Sequence, residues 1–285
     1  MKIAAVEFPS HKINAIKDTK EFVEIIELNF RKAEKNAADI LILPGFSGCF
    51  YQWLQYGKPP LKDLLPKVSH NKFLEEMIQL SNRSNITLCP GSYWKRKGDL
   101  IYHSSCLIQR SSLILKQSQL YLAKWERKLS LTRGRDIELI SLNGWNIALI
   151  ISTDVFYPQV ARRAALLGAD LIISPIGFEG EKNPWLQLSG TWQTTQLNHY
   201  FAVESAFNGK LDNKILWGES IVHGPLPMTP DEDGILARTK GESELIIIEL
   251  DKEKRKIARR EFDALTQLNP EFYTEIKGLG GNKDD

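Results

Sequence analysis

The run Ile147-Ala148-Leu149-Ile150-Ile151-Ser152-Thr153-Asp154 sets the reading of the whole chain. Its first five residues are all apolar, so neither face of the segment is suited to water. That pattern marks a strand buried between two layers, because a strand wet on one side alternates polar and apolar residues. Ser152, Thr153 and Asp154 close the run. Comparable stretches recur at 3–8, 39–43, 86–88, 106–108, 171–174, 201–206 and 245–250. All are short and mostly apolar on both faces.

Amphipathic stretches lie between these strands. Over 19–38, Phe22, Ile25, Ile26, Phe30 and Ala33 fall on one face at helical spacing. The stretches 74–80 and 159–167 behave likewise. Residues 184–200 are expected as a helix started by Pro184, with Trp185, Leu188 and Trp192 on one side. Strands alternating with helices, without a long flexible linker, indicate a single α/β domain over 1–277. The last residues, 278–285, are rich in glycine and charge and are expected to form a disordered tail. Asn143-Gly144 and Asp233-Gly234 are hairpin signals, which makes the sheets mixed rather than purely parallel.

Bulk properties narrow the functional classes. The 37 basic and 35 acidic residues leave a net charge of +2, so no global field holds nucleic acid or an anionic membrane. Cys49, Cys89 and Cys106 are too widely spaced for a disulfide framework or a paired metal motif. They read as packing residues in a reducing compartment. No apolar run approaches the roughly 20 residues needed to span a bilayer, and the N-terminus carries no secretion signal. The expected location is the cytoplasm. His11, His70, His103, His199 and His223 show no ligand spacing, so no metal is expected.

Four segments, in order over nearly the whole chain, resemble landmarks of the nitrilase, or carbon–nitrogen hydrolase, family. The first is Ala38-Asp39-Ile40-Leu41-Ile42-Leu43-Pro44. The second runs from Gln119-Leu120-Tyr121-Leu122 through Trp125-Glu126 to Thr132-Arg133-Gly134-Arg135-Asp136. The third is the opening run itself, continued by Tyr157-Pro158-Gln159-Val160-Ala161-Arg162 and Leu167-Gly168-Ala169-Asp170. The fourth comprises Gln196-Leu197-Asn198, Phe201-Ala202-Val203, Gly218-Glu219-Ser220-Ile221-Val222, Asp233-Gly234 and Asn269-Pro270-Glu271-Phe272-Tyr273. The resemblance implies an α/β fold of the four-layer α-β-β-α sandwich type with mixed sheets. It also implies a dimer formed through a helical face.

In that family a thiolate attacks a nitrile or amide carbon, a carboxylate moves the proton, and an ammonium stabilises the developing charge. By the resemblance, the three positions are occupied here by Gly45, Gln119 and Ser152. Gly45 has no side chain to accept a proton. Gln119 can donate hydrogen bonds but brings no charge. Ser152 is a weak nucleophile without a base beside it. Glu126 resembles an additional pocket glutamate of the family, and Thr153, Tyr93 and Trp125 are the other residues expected to line the pocket. Asp154 is expected to cap the helix region that begins at Pro158. Lys124, a conceivable substitute cation, reads as a solvated lysine, and Cys49 as a small buried thiol.

The expected function is that of a family homologue without amidase or nitrilase activity, acting as a small-molecule-binding or accessory protein. The alternative is an enzyme of altered, non-cysteine mechanism, performing condensation, elimination or transfer on an amide, amine or carboxylate substrate. A cavity filled by Phe46 or Trp125 counts against that alternative. No cofactor is implied. The expected partners are a small-molecule ligand and a second copy of the chain, with a heteromeric partner enzyme as the other arrangement; neither nucleic acid nor membrane is among them.

Overall fold

The computed structural model describes residues 1–68, 71–239 and 244–261, together with 265, 267–269 and 271. The expected tail at 278–285, His70, and the landmark residues Pro270, Phe272 and Tyr273 lie outside the described residues.

Two mixed sheets form the centre. In the seven-stranded sheet, Lys2–Val6 lies between Leu245–Glu249, antiparallel, and Ile40–Ile42, parallel. Thr87–Cys89 follows, and then Leu100–Gln109, whose two edges carry Ser92–Lys97 and Ser112–Ser118. The six-stranded sheet runs in the order Ile235–Arg238, Ile221–His223, Phe201–Ala206, Leu171–Ile176, Trp145–Leu149, Leu139–Leu142. Phe201–Ala206, Leu171–Ile176 and Trp145–Leu149 are parallel, and the outer pairs are antiparallel.

The period of two along each strand sorts side chains into three apolar layers. Ile3 and Ala5 pack between the sheets with Ile40, Ile42, Ile147, Leu149 and Val203. Their neighbours Ala4 and Val6 face the other way, against Phe22, Ile26, Phe30 and Phe50 of the first helical layer. On the far side, Ala148, Ile172 and Ala202 meet Val160, Ala161 and Ala164 of the second helical layer. Hence the strands need no polar face, and the layer order is α-β-β-α.

Local signals set most boundaries. Asp18 caps Thr19–Lys35 by accepting the Glu21 N–H at 3.0 Å. Asn143 and Gly144, both at positive φ, form the two-residue turn between Leu139–Leu142 and Trp145–Leu149. Asp233-Gly234 likewise joins an antiparallel pair, Ile221–His223 and Ile235–Arg238, at the end of a longer connection, 224–234, that includes the short helix Leu226–Met228. One expectation needs correction. The segment 184–200 is not one helix but two, Pro184–Leu188 and Thr191–Asn198. The break falls at Gly190, where a Cβ would lie 2.8 Å from Val155 Cγ2, so the chain turns where only glycine lets it pack. As a result Trp185 does not share a buried side with Trp192; it is 81% exposed.

Candidate functional site

Gly45 sits at the end of the Ile40–Ile42 strand, past Leu43 and Pro44. Its N–H donates to Ser205 O at 3.2 Å. A Cβ at this position would fall 2.5 Å from both the carbonyl carbon and oxygen of Ile176, so the opposite sheet closes directly over it. Phe46 follows with φ 59° and donates its N–H to Ser92 Oγ at 2.7 Å. Its ring rests on the His103 imidazole, centroids 4.6 Å apart, and 6.0 Å from the Trp125 ring. Gly177 makes room for it, since a Cβ there would be 2.9 Å from Phe46 Cδ2.

Around His103 lies a closed polar network. Nδ1 is 2.6 Å from Gln119 Oε1 and 2.7 Å from Glu126 Oε1, while Nε2 is 2.7 Å from Ser92 Oγ. The Gln119 amide nitrogen donates to Thr153 Oγ1 at 2.7 Å and to Tyr121 O at 3.2 Å. Its oxygen therefore faces the imidazole as an acceptor, which assigns the hydrogen to Nδ1. Glu126 Oε2 accepts the Ala123 N–H at 2.8 Å. Serine, imidazole and carboxylate in this order is an arrangement that can activate a nucleophile. Here, however, Ser92, His103, Gln119 and Glu126 all have 0% exposure. Among the described residues, none of the four lines any of the five main clefts.

Ser152 begins the short helix Ser152–Phe156 at φ 46°, a left-handed position that costs a residue with a side chain on the order of 1–3 kcal/mol. The hydroxyl is spent on Gly177 O, to which it donates at 3.0 Å, and the residue is buried. Asp154 does not cap the helix Pro158–Leu166, whose first turn has no side-chain cap. Its carboxylate instead turns back to accept the N–H groups of Leu120, at 3.0 Å, and Tyr121, at 2.6 Å. Burial pushes its pKa up to about 7 against the pull of those donors, and the charge of Glu126 adds to the rise.

The segment Ile176–Gly177 links the three positions. Gly45 abuts Ile176, Ser152 bonds Gly177, and Gln119 bonds Thr153, next to Ser152. Of the four residues expected at the pocket, Glu126 and Thr153 belong to the closed network. Tyr93 does not reach it: the residue lies in the helix-facing layer, its hydroxyl near Cys106, because it is one residue out of phase with Ser92. Thr153 is half-buried, and Trp125, though buried, lines a cleft. It closes the floor of a surface cleft of about 350 Å³, whose walls include Pro60, Leu61, Lys128 and Lys214. Lys124 is exposed. Cys49, Cys89 and Cys106 are all buried, and burial raises each thiol pKa, that of Cys89 to about 11, which suits packing and not nucleophilic attack.

Sequence reasoning passed over Ser92 and gave His103 no role at the site, while Phe46 entered only as a residue that could fill the cavity. A signal existed for the histidine: it shares strand parity with Ser105 and Leu107, and Leu107 faces the layer between the sheets. A polar ring there needs buried partners, which Gln119 and Glu126 supply. Among the described residues no group of three or more metal-ligating side chains is gathered, and no helix is long and apolar enough to cross a membrane.

Among solved structures, a carbon–nitrogen hydrolase from Helicobacter pylori G27 superposes with a TM-score of 0.78 at 19% identity, covering 97% of each chain. A variant of the amidase from Nesterenkonia sp. AN1 does so with a TM-score of 0.76 at 18% identity, covering 96% of each. At that identity the likeness shows the fold. In sequence, the chain is 24% identical over 255 residues to the probable hydrolase YhcX of Bacillus subtilis, covering 87% of this chain but 49% of that protein. The chain thus spans about half that relative's length. It is 25% identical to an (R)-stereoselective amidase of Pseudomonas sp. over 69% of each. Residues 2–259 match the carbon–nitrogen hydrolase family profile, and with the paired sheets and the elbow at Ser152 this places the chain in the carbon–nitrogen hydrolase family.

Proposed function

We propose that this chain is a catalytically silent carbon–nitrogen hydrolase homologue that works by binding, as an accessory or ligand-binding protein. The observation that carries the reading is at Gly45. Where the family resemblance puts the general base, the Ile176 backbone already occupies the space in which a side chain would begin. Phe46 fills the volume beside it, and Gln119 and Ser152 spend their polar groups on protein partners. A site that turned over amides would need an unpaired nucleophile, a base and room for the substrate.

An altered mechanism would need an open cavity with convergent polar groups. The Ser92–His103–Glu126 arrangement has the groups, but all three are fully buried and line none of the described clefts, which weighs against it. The direct test is hydrolysis of a panel of aliphatic amides and nitriles by the unmodified protein. No turnover above buffer is expected. Turnover that disappears in Ser152→Ala would overturn the reading.

Binding through a protein surface is the second part of the proposal. Leu166 and Leu197 on the helices Pro158–Leu166 and Thr191–Asn198, with Leu167 just past the first, are 57%, 43% and 48% exposed around an open cleft of about 480 Å³. Apolar side chains gathered on one helical face are what a second copy of the chain would cover.

A further inference from the structure

We infer that a cleft on the outer face of the seven-stranded sheet binds a small polyanion, one carrying two or more linked phosphate groups. The cleft measures about 550 Å³, and Lys95, Lys97, Tyr102, Lys116, Arg133 and Arg135 line it. Strand register puts the first four on one face. Lys95 pairs with Tyr102 and Lys97 with Leu100, while Lys116 pairs with Cys106, two steps of two along the same strand from Tyr102. That is the face opposite to His103, so the cleft is separate from the closed network.

The arginines come from a loop pinned to the sheet. Thr132 N–H donates to Ile101 O and Gly134 N–H to Gln119 O, each at 2.7 Å, and the Gln117 amide donates to Asp136 O at 2.9 Å. Gly134 itself cannot be replaced, because a Cβ would lie 2.5 Å from Ser118 O. The loop is thus held on both sides of the two guanidinium groups. Pre-set donors lose less freedom when they bind.

Charge supplies the chemistry. Five cations line the cleft against two acids, Asp136 and Glu138. Asp136 is already held by Arg163, Nε to Oδ1 at 2.7 Å and Nη2 to Oδ2 at 2.9 Å. Among the described residues, none of the five cleft cations has an ion-pair partner. Like charges gathered this way repel until an anion neutralises them, and arginine forks match phosphate oxygens two at a time. The near balance of charge over the whole chain hides this local excess. The volume lies in the range of small-molecule clefts, and a net charge of +2 offers nothing to hold a polymer beyond it, so a compact polyphosphate fits better than a nucleic acid strand.

The test is calorimetric titration of the full chain with sodium tripolyphosphate and with inorganic phosphate, at low and at physiological salt. Saturable binding of one tripolyphosphate is expected, tighter than phosphate and weakened by salt. The double variants Arg133→Gln/Arg135→Gln and Lys95→Gln/Lys116→Gln should each weaken it at least about tenfold. Their side chains are exposed, so the unliganded unfolding midpoint should not move. No saturable binding, or binding by both variants as tight as that of the unmodified chain, would overturn the inference. So would a single-stranded RNA oligonucleotide that binds more tightly than tripolyphosphate, since that result would assign the cleft to a polymer.

Discussion

Nδ1 of His103 stands 2.7 Å from a carboxylate oxygen of Glu126, and neither side chain touches solvent. The imidazole is the hub of the network: it satisfies Gln119, Glu126 and Ser92 at once and carries the Phe46 ring on its face. Removing the hub takes a hydrogen-bond partner from each of them. A buried carboxylate that loses its partner costs about 3–5 kcal/mol, and a truncated buried ring leaves a void as well. His103→Ala should therefore lower the unfolding free energy by at least that much in urea titration. A loss under about 1 kcal/mol would show that water enters and replaces the imidazole.

Gly45 makes the opposite prediction, of excess rather than void. Gly45→Ala forces a Cβ against the Ile176 carbonyl, and overpacking of this kind costs about 1–3 kcal/mol. The combined change Gly45→Glu, Gln119→Lys, Ser152→Cys should then recover no amidase activity, because the side chains return while the space does not. Assay of the triple variant on amides, alongside its unfolding curve, decides the point. A folded triple variant with turnover would mean that the closed centre can open.

How much of this was legible beforehand follows from the range of each signal. Runs such as 147–151 announce a doubly covered strand because burial on both faces acts through every residue of the run. The helix at Thr19–Lys35 is readable from its periodic Phe22, Ile26 and Phe30 and its Asp18 cap. The break at Gly190 is not, since it depends on Val155, distant in sequence. The same holds at the site. The family resemblance leads one to expect glycine, glutamine and serine at three family positions, but that Ile176 lies over Gly45 is a contact between sheets. Asp154 shows the limit clearly: its position after Ser152 suggests a helix cap, and the competing donors of Leu120 and Tyr121 come from a segment that local sequence cannot place.

Leu166 and Leu197 carry the prediction about assembly. If a second copy covers the face formed by Pro158–Leu166 and Thr191–Asn198, a charge there is desolvated without a partner on each of two symmetric chains. Leu166→Lys with Leu197→Lys should shift the protein from dimer to monomer in sedimentation velocity. The dissociation constant should rise by about a hundredfold or more, with the circular dichroism spectrum unchanged. A monomeric unmodified protein, or a dimer indifferent to both changes, would remove this face from the proposal.

Asp154 predicts a pH dependence whose sign can be worked out. Its carboxyl has an ordinary pKa of 3.8 and is raised to about 7 in the folded chain, chiefly by burial. Between those values the folded state holds a proton that the unfolded state has released. Stability must then fall as pH rises through this window: the contribution is fully present below 3.8 and gone above about 7. Glu7, also raised by burial, acts in the same direction, so the wild-type curve alone does not isolate Asp154. The difference from Asp154→Asn does, because the amide keeps an oxygen for the N–H groups of Leu120 and Tyr121 but cannot titrate. Unfolding free energies measured from pH 4 to pH 8 should decline by a few kcal/mol more in the wild type than in the variant. Parallel curves would show that the backbone donors hold the carboxylate ionised throughout, and that burial does not win at this position.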